Sequence, residues 1–251
     1  MEQSEQLFKS AAELAPSSAT YWLNYIHVLE IIVKYQEAFD STVQYLENNS
    51  KLSLPPVKPE DKEVSCADIL SEIKELKDIS LALKQRSGGE GKKAEDVFAS
   101  CDEKLEHNFT AEQLDLLALL FTLVKILYVT GNIESIVKIV PLIERARRGK
   151  QLHLTSIRNE HAYYCCIGQL LPYISAPLPD YEPLYVVGDS HTLPTAWQTI
   201  TVDGTKRLLI PKLVTGCKMW HLRKEAYFFP KENFDNMISS SKLFNTTVRL
   251  Y

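Results

Sequence analysis

Several features are missing or scarce in this 251-residue sequence. Net charge is only -4, so bulk electrostatics give no argument for nucleic acid or an anionic membrane as partner. No apolar run is clean enough to span a bilayer. The longest, "LDLLALLFTLVKILYVTG", is interrupted by Asp115 and Lys125 and reads as a buried helix, and "YIHVLEIIV" is shorter still. The opening "MEQSEQLFKSAAEL" is acidic and polar and lacks a signal-peptide core, which gives secretion no support. The five cysteines (Cys66, Cys101, Cys165, Cys166, Cys217) form no CxxC pair, and adjacent Cys165 and Cys166 cannot make a metal knuckle alone. The expectation is therefore reduced, buried thiols in a cytoplasmic protein, with no metal and no cofactor. Without a leader, the Asn-x-Ser/Thr triplets at Asn48, Asn108 and Asn245 read as chance.

What is present is an ordinary globular composition, 45% apolar and 24% charged. Residues 1–175 read as helical, with two glycine-containing breaks of note. Leu7, Phe8, Ala11 and Leu14 share one face of a first helix that Pro16 stops. Further helices are expected over "YWLNYIHVLEIIVKY" and, after a turn near Tyr35, "EAFDSTVQYLENN". "SLPPVKPED" reads as a loop, and "SCADILSEIKELKDISLALKQ" as one long amphipathic helix. After the lysine-rich break "RSGGEGKK" come helices in "AEDVFASCDEKLEHN", "TAEQLDLLALLFTLVKILYVTG", "NIESIVKIVPLIERARRG" and "TSIRNEHAYYCCIGQLLPYI". Thr110 with Gln113 resembles a capping box, and Gly131-Asn132 a tight turn between helices. The basic end "RARRGK" complements a helix dipole.

Residues 8 to 42 resemble a tetratricopeptide repeat. Phe8, Ala11 and Pro16 match the second half of one repeat, and Trp22 and Ala38 fall at the offsets the next requires. The packing reason is that Ala11 and Ala38 sit where helices cross closely, with Trp22 filling the groove beside them. Tyr25 and Ile26 stand where the family has Leu-Gly, and Thr42 where it has an aromatic. We read one good repeat, one half repeat and degenerate helical pairs. The resemblance implies a solenoid whose concave surface binds a peptide or protein. Because the sequence opens at a second helix, it is expected to be a fragment or shortened form of a longer array. A generic all-α bundle is the competing reading.

From residue 176 onward the chain is rich in Val, Thr, Phe, Tyr, Gly and Pro. "YISAPLPDYEPLYVV" places Pro177, Pro179 and Pro183 within seven residues, and the domain boundary is expected there. This divides the chain into a helical domain, 1–175, and an α/β portion, 180–251. "PLYVV" fits a buried parallel strand, and "ITVDGTKRLLI" a hairpin turning on Asp203-Gly204. "GDSH" would then stand at a strand's carboxyl end, where open α/β sheets bind ligands. The strand-GDS arrangement resembles the first block of the SGNH (GDSL-type) hydrolase superfamily. That resemblance implies Ser190 as nucleophile and Gly216, in "LVTGCKMWHL", as an oxyanion-hole donor. The family's later blocks are missing: no Gly-x-Asn-Asp follows Gly216 and no Asp-x-x-His follows Ser190. His221 is the weak candidate base, and His191 is expected to point away from Ser190. "NTTVRLY" reads as the start of another strand, so the hydrolase-like portion is expected to be partial and to continue in a longer relative.

The fold class expected is thus an α-helical tetratricopeptide-like solenoid followed by a partial α/β, SGNH-like portion. The function expected is protein–protein interaction through the helical array, with no nucleic acid and no membrane partner. The alternative is an esterase or acyltransferase using Ser190 in a longer form. Gly188-Asp189-Ser190 as a structural turn in which Asp189 or Ser190 caps a helix stays open, as does a ligand pocket without chemistry. The aromatics of "KMWHLRKEAYFFPKENF" are expected to close the helix layer over the sheet.

Overall fold

A computed structural model describes residues 2–87, 92–93, 104–223, 225 and 229–240. It shows an α-rich α/β protein with a small mixed sheet; a solenoid is not among its demonstrated features. The helices are α1 (Glu2–Leu14), α2 (Ala19–Ile31), α3 (Tyr35–Asn48), α4 (Cys66–Ile73), α5 (Ala111–Val129), α6 (Ile133–Arg147), α7 (Arg158–Leu170) and α8 (Phe229–Ser240). Two short ribbons, β1 (Ser53–Leu54) with β2 (Val64–Ser65) and β3 (Lys92–Lys93) with β4 (Ser175–Ala176), tie loops to the helices. The main sheet holds β5 (Glu182–Gly188), β6 (Thr199–Val202) and β7 (Thr205–Leu213) in the order β5-β7-β6.

Helix α5 is the centre. Every residue from Leu116 to Val129 is buried, and α2, α3, α6, α7 and β7 pack around it. An all-round apolar helix has no solvent face to offer, so it must be enclosed. It starts at the expected capping box, where the Thr110 hydroxyl accepts from the Gln113 backbone and the Gln113 amide oxygen accepts from the Thr110 backbone. Ala38 of α3 is fully buried, and Trp22 is buried with its ring 6.4 Å from that of Tyr45. One apolar core continues from these helices into Leu193, Trp197, Leu208 and Ile210.

The long helix expected over residues 65–85 is broken. Helix α4 ends at Ile73, and a short 3-10 helix covers Ile79–Leu83. Asp78 starts that second piece by accepting from the Ser80 backbone N–H, a local bond that competes with helix continuation. The Asp203-Gly204 hairpin is present between β6 and β7, with φ of 50° and 77° as a two-residue hairpin turn demands. Strand β5 runs parallel to β7 as expected, but it is an edge strand whose residues from Pro183 to Gly188 are half-buried, not the fully buried strand its apolar run suggested. Phe234 packs on the small cluster formed by Val214, Cys217 and Met237, but Trp220 is 66% exposed and closes no layer. The helix expected near Ala94–Asn108 and the strand expected in "NTTVRLY" lie largely or wholly outside the described residues.

Candidate functional site

Ser190 stands where the sequence places it, just past the carboxyl end of β5, as the first residue of a 3-10 turn over Ser190–Thr195. The neighbouring parallel strand brings its own end alongside. Gly188 pairs with Leu213, and the Val214 N–H donates to the Gly188 carbonyl at 2.8 Å. Thr215 and Gly216 follow directly, so the Gly-Asp-Ser-His turn and the Thr-Gly turn lie at adjacent strand ends. Gly216 has φ of 72°, and a Cβ there would meet nothing within 4 Å. Its glycine is required by backbone conformation, not by crowding. Gly188 is the reverse case, since a Cβ there would come 2.6 Å from Thr192 Cγ2.

Asp189, not Ser190, caps the turn. Its carboxylate accepts from the His191 backbone N–H at 3.0 Å and from the His191 ring Nδ1 at 2.9 Å. Burial pushes the Asp189 carboxyl up, but these bonds to His191 outweigh it and hold the group below its usual value. Asp189 also adds to the effect of burial in pushing the Cys217 thiol up. His191 is 91% exposed and held by Asp189. His221 Nδ1 accepts from the Lys218 backbone N–H at 3.2 Å, which closes its own short turn. Ser190 Oγ has no recorded hydrogen-bond partner among the described residues, so no imidazole is seated against it. The structure therefore brings Ser190 and Gly216 to neighbouring loops without showing His221 as a base on Ser190. Nucleophilic attack by a serine needs a base within hydrogen-bond reach.

The turn is held from beneath by α5. The Tyr128 hydroxyl donates to the Leu193 carbonyl at 3.1 Å, and the Trp197 indole N–H donates to the Tyr128 carbonyl at 2.8 Å. Beside it lies a buried ion pair that sequence reasoning missed. Lys125 of α5 and Glu30 of α2 are each 6% exposed and in direct contact. Lys125 also lies 4.1 Å from the centroid of the Tyr163 ring. Thr215 Oγ1 donates to Glu30 Oε1 at 3.3 Å, which ties the loop after β7 to this pair. The only sequence signal was Lys125 interrupting an apolar run. Nothing in the chain pointed to Glu30, ninety-five residues away.

A second cluster lies on α7. Cys165 Sγ is 3.3 Å from His161 Nε2, and the Arg147 guanidinium donates to His161 Nε2 at 3.2 Å. Burial and the Arg147 charge push His161 down to about 4, so its ring is neutral. Burial pushes the Cys165 thiol up despite Arg147. A guanidinium against both side chains repels a metal cation, and no metal-holding group of His, Cys, Asp and Glu exists among the described residues. No described helix is long and apolar enough to cross a membrane. Comparisons with family models, curated proteins and solved structures found no match to this chain.

Proposed function

We propose that the chain is a protein-binding module whose contact surface lies on α1 and the start of α2, with the Gly-Asp-Ser-His turn serving as architecture. The observation that carries this reading is the exposed apolar surface there. Leu7 is 72% and Leu14 87% exposed, with Phe8 and Tyr21 also exposed. Leu7 and Leu14 stand two helical turns apart on one face of α1, and exposed apolar side chains that share a face mark interaction surfaces more often than isolated ones do. The resemblance of residues 8–42 to a tetratricopeptide repeat supports the same reading, since a repeat helix of that kind packs against another helix. The absence of a base seated on Ser190 supports the architectural role of the turn. A cytoplasmic setting and the lack of nucleic-acid or membrane partners belong to this proposal too.

The test compares proteins captured by the wild-type chain with those captured by Leu7→Glu/Leu14→Glu, after both are shown to be folded by circular dichroism. A partner held by the wild type and lost with the double variant is expected. Identical captured sets would contradict the assignment of the surface.

One observation favours a second reading, ester hydrolysis or acyl transfer at Ser190. Parallel strands deliver Ser190 and Gly216 to adjacent carboxyl ends, which is how an α/β site assembles a nucleophile and an oxyanion donor. That reading needs a base from a longer form of the protein or from another chain.

A further inference from the structure

Strand β5 has a sheet neighbour on one side only, since the order is β5-β7-β6. Its other side carries backbone groups that can be assigned residue by residue. The Val214 N–H donates to the Gly188 carbonyl, so the backbone of Gly188 faces β7. The N–H and C=O of one strand residue leave on the same side, and successive residues alternate sides. Leu184, Val186 and Gly188 therefore bond towards β7, while Pro183, Tyr185 and Val187 turn their backbone groups outwards. Neither Tyr185 nor Val187 has a backbone partner on that side among the described residues. The side chains from Pro183 to Gly188 are all half-buried. An apolar edge of this length with free backbone groups is a template for another strand.

The edge fits its own copy. Two β5 strands laid antiparallel about a twofold axis at Val186 set Tyr185 of each copy opposite Val187 of the other. Those two residues then exchange both N–H···O=C bonds. Every outward N–H of the strand is used, because Pro183 has none to give. Charge agrees with the pairing. No residue from Pro183 to Gly188 is charged, so no like charges meet across the axis. Glu182, at the strand's start, is already paired with Arg207 of its own chain at 3.1 Å. Across the axis Val186 meets Val186, and Tyr185 meets Val187, an aromatic and β-branched pair of the kind that stabilises sheets.

We propose that two copies of this chain pair edge to edge through β5, antiparallel, into one continuous sheet in the order β6-β7-β5-β5-β7-β6. The contact is isologous, so it closes as a dimer and leaves no free β5 edge. It uses none of the α1 and α2 residues assigned above to partner binding.

The test combines sedimentation equilibrium of the purified chain over rising concentration with hydrogen exchange at individual amides. A dimer is expected, with the Tyr185 and Val187 amides exchanging more slowly as it forms. Val187→Pro deletes an outward donor and no bond to β7, a place where an edge strand tolerates proline. Folded by circular dichroism, it should raise the dimer dissociation constant at least about tenfold. Val186→Lys, a second variant, sets like charges across the axis and should also weaken the dimer. Mixing it with Val186→Glu should restore pairing. Leu7→Glu/Leu14→Glu should dimerise as the wild type does. A chain that stays monomeric would overturn the proposal, with fast exchange at Tyr185 and Val187 meaning a bare edge and slow exchange an edge covered by the chain itself. A dimer unchanged in both folded β5 variants, or lost in Leu7→Glu/Leu14→Glu, would place the interface elsewhere and overturn it too. Failure of the Val186→Lys and Val186→Glu mixture to pair would overturn the axis at Val186.

Discussion

The Thr215 hydroxyl donates to the carboxylate of Glu30 at 3.3 Å, and that carboxylate is buried against Lys125. A loop at the end of a sheet strand is thereby fastened to an ion pair inside the helices. The cost of burying those two charges is offset only while both are present. Lys125→Met leaves Glu30 uncompensated and should cost about 3–5 kcal/mol in urea unfolding. Glu30→Leu/Lys125→Met, which removes both charges, should cost less than either single change. Thr215→Val should cost at most about 1.5 kcal/mol, the ordinary worth of one hydrogen bond.

The glycine before the turn is held by a single methyl group. Gly188→Ala would place a Cβ 2.6 Å from Thr192 Cγ2 and should cost about 1–3 kcal/mol. Adding Thr192→Ser removes that methyl but keeps a hydroxyl for the bond to the Asp189 carbonyl. Denaturation of the double variant should recover most of the loss. No recovery would mean that Gly188 matters for backbone freedom instead.

Capping belongs to Asp189, which separates it from its neighbour. Asp189→Ala should cost about 1 kcal/mol, as loss of a cap does. Ser190→Ala should stay within about 0.5 kcal/mol, the range of a substitution that breaks no identified contact. Equal losses at both positions would contradict the observed bonding.

His161 gives the protein a dependence on acid. Burial and then Arg147 hold its folded pKa at about 4, below the ordinary value of 6.5. The unfolded chain therefore binds this proton first as pH falls. The stabilising contribution is complete above about 6.5 and is lost progressively down to about 4. His161→Gln should flatten the stability-versus-pH curve in that window, read by thermal melts at several pH values. His27, also lowered chiefly by burial, contributes with the same sign.

Local signals in the sequence reached the elements they control. The Thr110–Gln113 capping box, the Asp203-Gly204 hairpin and the apolar "PLYVV" strand are each specified by a few adjacent residues, and each is present. Periodicity failed over residues 65–85, because Leu76 and Ile79 keep helical spacing across a break that Asp78 enforces through its own side chain. Ser190 could be placed at a strand end from sequence, but its surroundings could not. The Glu30–Lys125 pair and the Tyr128–Leu193 bond join residues 95 and 65 positions apart, and no local pattern encodes such partners. The cap was legible only as a choice between Asp189 and Ser190, since both residue types accept from a turn's backbone.

Under the proposed reading Ser190 belongs to an architectural turn and is not an activated nucleophile in this chain. Fluorophosphonate labelling of the purified protein, with peptide mapping and a Ser190→Ala control, tests it directly, because the reagent marks only serines with an effective base. The account expects no label at Ser190. A label at Ser190 that disappears in Ser190→Ala would contradict it and show that a base reaches this serine.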